Sequence, residues 1–140
     1  MRLVIDTNVL LSGLISTASP PAQVLALWRS RRFDLLTSAE QLDEIARVTR
    51  YPKIRAWLAP SLAGRLINRL RDLAIVVEKL PMINLSLDPD DNHLLALAEA
   101  GHAHFLVTGD KPLLRMQRHK FTRIITPATL VALLSEPAVK

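Results

Sequence analysis

The chain reads as an α/β protein built on a parallel sheet, and three observations lead there. A short apolar run, Leu3-Val4-Ile5, leads straight into Asp6-Thr7-Asn8 and then into a helical pattern in Val9, Leu10, Leu11, Leu14 and Ile15. Its apolar residues are continuous, as in strands covered on both faces. Strand-like and helical runs then alternate to the end of the chain, which implies right-handed crossovers and helices on both faces of the sheet.

Each element has a local reason. Residues 16–21 form a loop whose prolines open a helix over roughly 21–31, with a stripe of Val24, Leu25, Leu27 and Trp28 and arginines toward its end. Residues 33–37 read as the second strand. Ser38 is placed as an N-cap with Gln41 three residues on, as in a capping box, and the helix it opens runs to about residue 50, where Pro52 stops it. A short helical piece holds Ile54, Trp57 and Leu58. Pro60-Ser61 begins a helix with Leu62, Leu66, Ile67, Leu70 and Leu73 on one face and Arg65 and Arg69 on another. Residues 75–77 form the third strand and 79–90 an irregular connection. The next helix spans about 91–100, with Leu94, Leu95, Leu97 and Ala98 inward and Gly101 as its stop. Strand 105–108 ends in Gly109-Asp110. A short helix around 112–118, strand 122–125 and a helix from Thr126-Pro127 to about residue 135 complete the chain. With no repeat, low-complexity tract or linker, residues 1–140 are expected to form one domain.

Composition narrows the class. The chain has 140 residues, 49% hydrophobic and 22% charged, which is globular rather than disordered. It has no cysteine, which rules out disulfides and thiolate metal sites and fits a reducing cytoplasm. Asp6 interrupts the opening apolar run, so no secretory leader is expected, and no uncharged run is long enough to span a membrane. The net charge of +5 and isoelectric point near 10.2 suit a polyanionic partner.

The chemistry lies in the acids. Asp6 and Asp110 each end a buried strand, and in open α/β sheets ligands sit at such ends. Asp91 opens a helix just after Pro89-Asp90, and the helix leaving the second strand at the same edge carries Glu40 and Glu44; periodicity does not choose between these two. Two carboxylates about 4 Å apart repel by roughly 4 kcal/mol at an effective dielectric of about 20. A group of four therefore calls for a cation. Oxygen-only ligands favour Mg²⁺ or Mn²⁺, and such an ion supports hydrolysis of a phosphodiester by water. Each acid also has a structural use: Asp6, Asp91 and Asp110 as caps or turn residues, Glu44 as an exposed helix acid.

These positions resemble the PIN-domain family, the metal-dependent ribonucleases that include VapC-type toxins. The carrying residues are Val4-Ile5-Asp6-Thr7-Asn8-Val9-Leu10, Thr37-Ser38 with Glu44, Asp88-Pro89-Asp90-Asp91-Asn92 before Leu94-Leu95-Ala96-Leu97-Ala98, and Leu106-Val107-Thr108-Gly109-Asp110-Lys111. The resemblance implies Asp6, Glu44, Asp91 and Asp110 as catalytic residues and ligands of Mg²⁺ or Mn²⁺. It settles Glu44 over Glu40 and favours Asp91 over Asp90. It also implies supporting roles for Asn8, Thr108, Ser38 and Asp88, a five-stranded parallel sheet, a homodimer and a small antitoxin that inhibits the enzyme.

Other chemistries fit less well. A phosphoaspartyl phosphatase needs a second acid where Asn8 stands, and a receiver domain needs an acid ending its third strand, where Val77-Glu78-Lys79 stands. There is no glycine-rich phosphate loop. His93, His102, His104 and His119 read as surface residues rather than a ligand set, and no histidine pairs with Ser38 to make it a nucleophile. Arg47, Arg50, Lys53, Arg65, Arg69 and Lys111 are candidate contacts for RNA phosphates. Arg115, Arg118, His119, Lys120 and Arg123 form a further basic group, also expected near the acids. The expectation is a cytoplasmic metal-dependent endoribonuclease that acts as a toxin; the competing class is a non-catalytic PIN-shaped binding module.

Overall fold

A computed structural model describes residues 1–85 and 88–135. The elements are β1 (Arg2–Ile5), α1 (Thr7–Ile15), α2 (Pro20–Arg29), β2 (Asp34–Thr37), α3 (Ala39–Val48), α4 (Pro52–Arg55), α5 (Pro60–Leu73), β3 (Ile75–Val76), α6 (Pro89–Ala100), β4 (Phe105–Val107), α7 (Lys111–Met116), β5 (Arg118–His119), β6 (Thr122–Ile125) and α8 (Pro127–Ser135). Residues 86 and 87 of the expected 79–90 connection lie outside the described residues.

The strands form one sheet in the order β3-β2-β1-β4-β6-β5. All neighbours are parallel except β5, which pairs antiparallel with β6. Among the described residues the sheet therefore has six strands rather than five. The extra strand belongs to a tight hairpin, in which Arg118 faces Arg123 and His119 faces Thr122. A two-residue strand carries no apolar periodicity by which sequence could reveal it.

Alternation along the strands divides the interior into two layers. Leu3, Ile5 and Leu35 face a core shared with α1, α2, α3, α5 and α8. Val4, Leu36 and Leu106 face the other core, with Leu94, Leu95 and Leu97 of α6 and Leu113 of α7. Leu3, Val4 and Ile5 are all 0% exposed, and burying a side chain of this size contributes roughly 1.5–3 kcal/mol.

Some local details differ from expectation. The third helix ends at Val48, and Pro52 opens α4 rather than stopping a helix, since proline fits the first helical turn. Leu73 is 63% exposed, and Ala63 takes a place in the α5 interface. Gly101 is not the left-handed residue that ends α6. His102 is, at φ 52°, with Ala103 N donating to Ala98 O at 2.9 Å. Gly101 is needed for space, because a Cβ there would meet Leu36 Cδ1 at 2.5 Å.

Candidate active site

β1 is flanked by β2 on one side and β4 on the other, so the chain switches direction across the sheet at β1. Crevices form outside the carboxyl ends of strands at such points. β1 and β4 pair directly, with Ile5 opposite Val107. Asp6 leaves β1 and Asp110 follows β4, so the two acids meet at one crevice, lined also by Asn8, Ser12 and Gly109.

Thr108 fixes both acids. Its hydroxyl donates to Asp6 Oδ2 at 2.7 Å and accepts the Asp110 N–H at 3.0 Å, and the residue is fully buried. Asp6 Oδ1 accepts the Asn8 N–H at 3.1 Å. Asp6 thus caps α1, and Asp110 caps α7 by accepting the Leu113 N–H at 3.1 Å. The structural uses of these acids are real and coexist with their convergence. Asn8 reaches the site through its backbone, and its side chain is exposed.

Burial pushes the Asp6 carboxyl above its ordinary range, against the hydrogen bonds from Thr108 and Asn8, and Glu44 and Asp110 push it further. Asp91, in the first turn of α6, is pushed up to about 7 by burial, then by the negative charge of Asp110, Asp6 and Asp88 and by a hydrogen bond shared with Asp110. The Asp91 backbone N–H donates to Asp88 O at 3.0 Å.

Glu44 projects from α3 into the same acidic field. Burial raises its carboxyl, but His93, the Thr7 hydroxyl and Arg47 together bring it below the usual range. Thr7 Oγ1 donates to Glu44 Oε1. His93 Nε2 lies 3.4 Å from that oxygen, an ion-pair distance without hydrogen-bond geometry. The four acids are therefore in electrostatic contact, in two subgroups: Asp6, Asp91 and Asp110 at the β1–β4 crevice, and Glu44 held by Thr7 beside His93.

The donor set suits a hard dication. Among the described residues, no three acidic or imidazole side chains converge closely enough to enclose an ion unaided. Yet Asp91 Oδ2 is buried without a hydrogen-bond partner, and a buried carboxyl oxygen left unpaired is costly. Carboxyl oxygens that repel one another, one of them with no hydrogen-bond partner, suit a divalent cation.

The remaining candidates divide. Ser38 is fully buried and accepts the Gln41 N–H at 3.1 Å, so it works as the N-cap of α3. Gln41 does not close a capping box. Its Nε2 donates to Ile5 O at 2.7 Å and its Oε1 accepts from Thr37 Oγ1 at 2.8 Å, which ties the exits of β1 and β2 together. Arg47 and Arg50 line a groove with Glu44 and His93. Lys53 lies on α4 and Lys111 follows Asp110. Arg65 and Arg69 instead border a groove between α2 and α5. Asp88 is exposed, and the side chain of Asp90 lies outside the described residues.

Sequence reasoning missed His93, Thr7 and Gln41. Two of the four histidines are not surface residues: His93 is beside Glu44, and His119 is 6% exposed with its Nε2 3.1 Å from Glu99 Oε1. Gln41 left a signal as the fourth residue of Ser38-Ala39-Glu40-Gln41, and Thr7 stands within the Val4–Leu10 stretch; His93 left none.

A family model described as PIN domain matches residues 2–112. An uncharacterized protein of Methanocaldococcus jannaschii is 28% identical over 126 residues, covering 89% of this chain and 81% of that protein. The crystal structure of VapBC2 from Rickettsia felis bound to a DNA fragment from their promoter superposes with a TM-score of 0.58 and 14% identity, over 90% of this chain and 98% of that one. The likeness to that structure is one of fold.

Proposed function

The chain belongs to the PIN-domain family, and from that premise we propose that it is a metal-dependent endoribonuclease, the toxin of a type II toxin–antitoxin pair. The observation that carries the reading is Asp91, a carboxyl held near pKa 7 beside Asp110 and Asp6, with a buried oxygen that has no partner. Asp6, Asp91 and Asp110 would hold Mg²⁺ or Mn²⁺, with Glu44 at the margin. A dication there supplies charge neutralisation at the phosphate oxygens and a more acidic water.

The protein's own groups do the rest. Thr108 sets the distance between Asp6 and Asp110 through two hydrogen bonds. Glu44 stays ionised, oriented by Thr7 and His93, and is the acceptor for a proton of the attacking water. Arg47 and Arg50, in the groove beside Glu44, position RNA phosphates without reading bases.

The antitoxin has a fitting surface. Leu14, Leu25, Trp28, Leu62 and Leu66 form the floor of the α2–α5 groove, bordered by Arg29, Arg65 and Arg69. Those arginines form no ion pair among the described residues. An apolar floor with a cationic rim suits an acidic amphipathic segment of a small partner protein. We place residues 1–140 in one domain, and the enzyme in the cytoplasm as a homodimer. No single helix among the described residues is long and apolar enough to cross a membrane.

The test is RNA cleavage with Mn²⁺ or Mg²⁺, by the wild type and by Asp6→Asn, with melting measured on both. Metal-dependent cleavage lost in the variant supports the reading. The open spacing of the acids favours a second reading, a PIN-shaped binding module. That reading predicts no cleavage and no rise in melting temperature with Mn²⁺.

A further inference from the structure

The β5–β6 hairpin lies away from the carboxylates. β6 runs parallel to β4, so the hairpin turn at Lys120–Phe121 is at the opposite end of the sheet from Asp110. The separation is roughly 13 Å, from four residues of strand at about 3.3 Å each. The basic group expected near the acids is therefore divided, and its hairpin members form a surface of their own.

The hairpin is anchored on its inner face. His119 and Thr122 face each other and are 6% and 2% exposed. His119 Nε2 meets Glu99 Oε1 at 3.1 Å, and Thr122 Oγ1 donates to Ala103 O at 2.7 Å. Lys120 takes a left-handed φ of 55°, a conformation usually given to glycine or asparagine. The consequence is that the Phe121 ring is 86% exposed on a turn fixed from within. The ring borders a small cleft with His102 and Glu99.

The outer face collects like charge. Arg118 and Arg123 are directly opposite in the antiparallel pair, so both project from one face, and opposed like charges weaken such a pair. Neither forms an ion pair among the described residues. Lys120 Nζ is 4.0 Å from Glu99 Oε1, an oxygen His119 already occupies. A second copy of this chain docking on Phe121 through a two-fold axis would bring four arginines together. Single-stranded nucleic acid answers both features, with phosphates for the cations and a base for the ring.

We propose that this hairpin is a second RNA contact, in which Phe121 stacks on an unpaired base and Arg118, Lys120 and Arg123 hold the flanking phosphates. The choice of RNA rests on the nuclease reading; the contact itself does not need the carboxylates. A long single strand cleaved at the β1–β4 crevice would reach the hairpin, and a very short one would not.

The test is fluorescence anisotropy of labelled single-stranded oligouridine in chelator, with the wild type, Phe121→Ala, and the double variant Arg118→Ser, Arg123→Ser. Phe121→Ala should weaken binding about tenfold, or about 1.4 kcal/mol, within the range for one stacked base, with the melting temperature unchanged. The double variant should lower the slope of log affinity on log salt by about 1.4, two contacts at about 0.7 each. Equal binding by wild type and Phe121→Ala overturns the proposal. So does self-association of the wild type that Phe121→Ala abolishes, since the ring would then serve a protein contact. Cleavage with Mn²⁺ is scored separately. A chain that binds through Phe121 and never cleaves refutes the nuclease and keeps the hairpin, and one that cleaves with Phe121 indifferent does the reverse.

Discussion

Removing a carboxylate from this protein should stabilise it. Asp91 is held at about 7, against an ordinary 3.8, by burial and then by Asp110, Asp6 and Asp88. Below about pH 4 the group is protonated whether the chain is folded or not, and its contribution is at its best. Between about pH 4 and about 7 the unfolded chain ionises and the folded one does not, so stability falls with pH, and it levels off above about 7, where both are ionised. A rise from 3.8 to about 7 corresponds to about 4 kcal/mol. Asp91 is only partly buried, and solvent screening reduces this to about 1–2 kcal/mol. In chelator at pH 8, Asp91→Asn should therefore melt higher than the wild type by about 3–8 °C; at pH 4 the two should nearly coincide. Adding Mn²⁺ at pH 8 should reverse the order. A ligand at a hundred times its dissociation constant adds about 2.7 kcal/mol, and the variant forfeits most of it. The measurement is thermal melting by circular dichroism at both pH values, with and without metal. If Asp91→Asn melts lower at both, Asp91 is merely the acid that α6 wants at its first turn, and the metal centre loses its main support.

Three further outcomes test the site. Asp6→Asn should abolish RNA cleavage while melting stays within a few degrees of wild type, because an amide oxygen still accepts the Thr108 hydroxyl; undiminished cleavage would remove Asp6 from the chemistry. Thr108→Val strands the Asp110 N–H and leaves Asp6 Oδ2 without its donor. It should cost about 1–3 kcal/mol and lower cleavage about 10–100-fold, with Thr108→Ser restoring most of both. Gln41→Leu leaves Ile5 O and the Thr37 hydroxyl unpaired; denaturant unfolding should show a loss of about 2–4 kcal/mol.

How much of this was legible in the sequence depends on what kind of pattern each feature leaves. Leu3-Val4-Ile5 and Leu106-Val107 are strands because every residue is buried, and burial on both faces writes itself as an unbroken apolar run. From two such strands, each followed by an aspartate, parallel topology alone brings Asp6 and Asp110 to one edge. Their neighbourhood was a condition the sequence stated and the β1–β4 pairing meets. Glu44 was not separable from Glu40 by any period, since both sit on a helix with an exposed face; what distinguishes it is Thr7, 37 residues away. The same holds for His93. A histidine between Asn92 and Leu94 looks like any solvent-facing helix residue, and only the packing of α6 against α3 brings it to 3.4 Å from Glu44 Oε1. The hairpin failed to register for the opposite reason: β5 is too short to carry a period, and its tip breaks local preference, with a lysine where glycine is expected and a phenylalanine where polar residues are. Positions where local rules fail without a structural gain are where function is to be sought. An exposed ring at the tip of a hairpin whose strands carry two opposed arginines is such a position, which makes Phe121 as informative as any aspartate in the crevice.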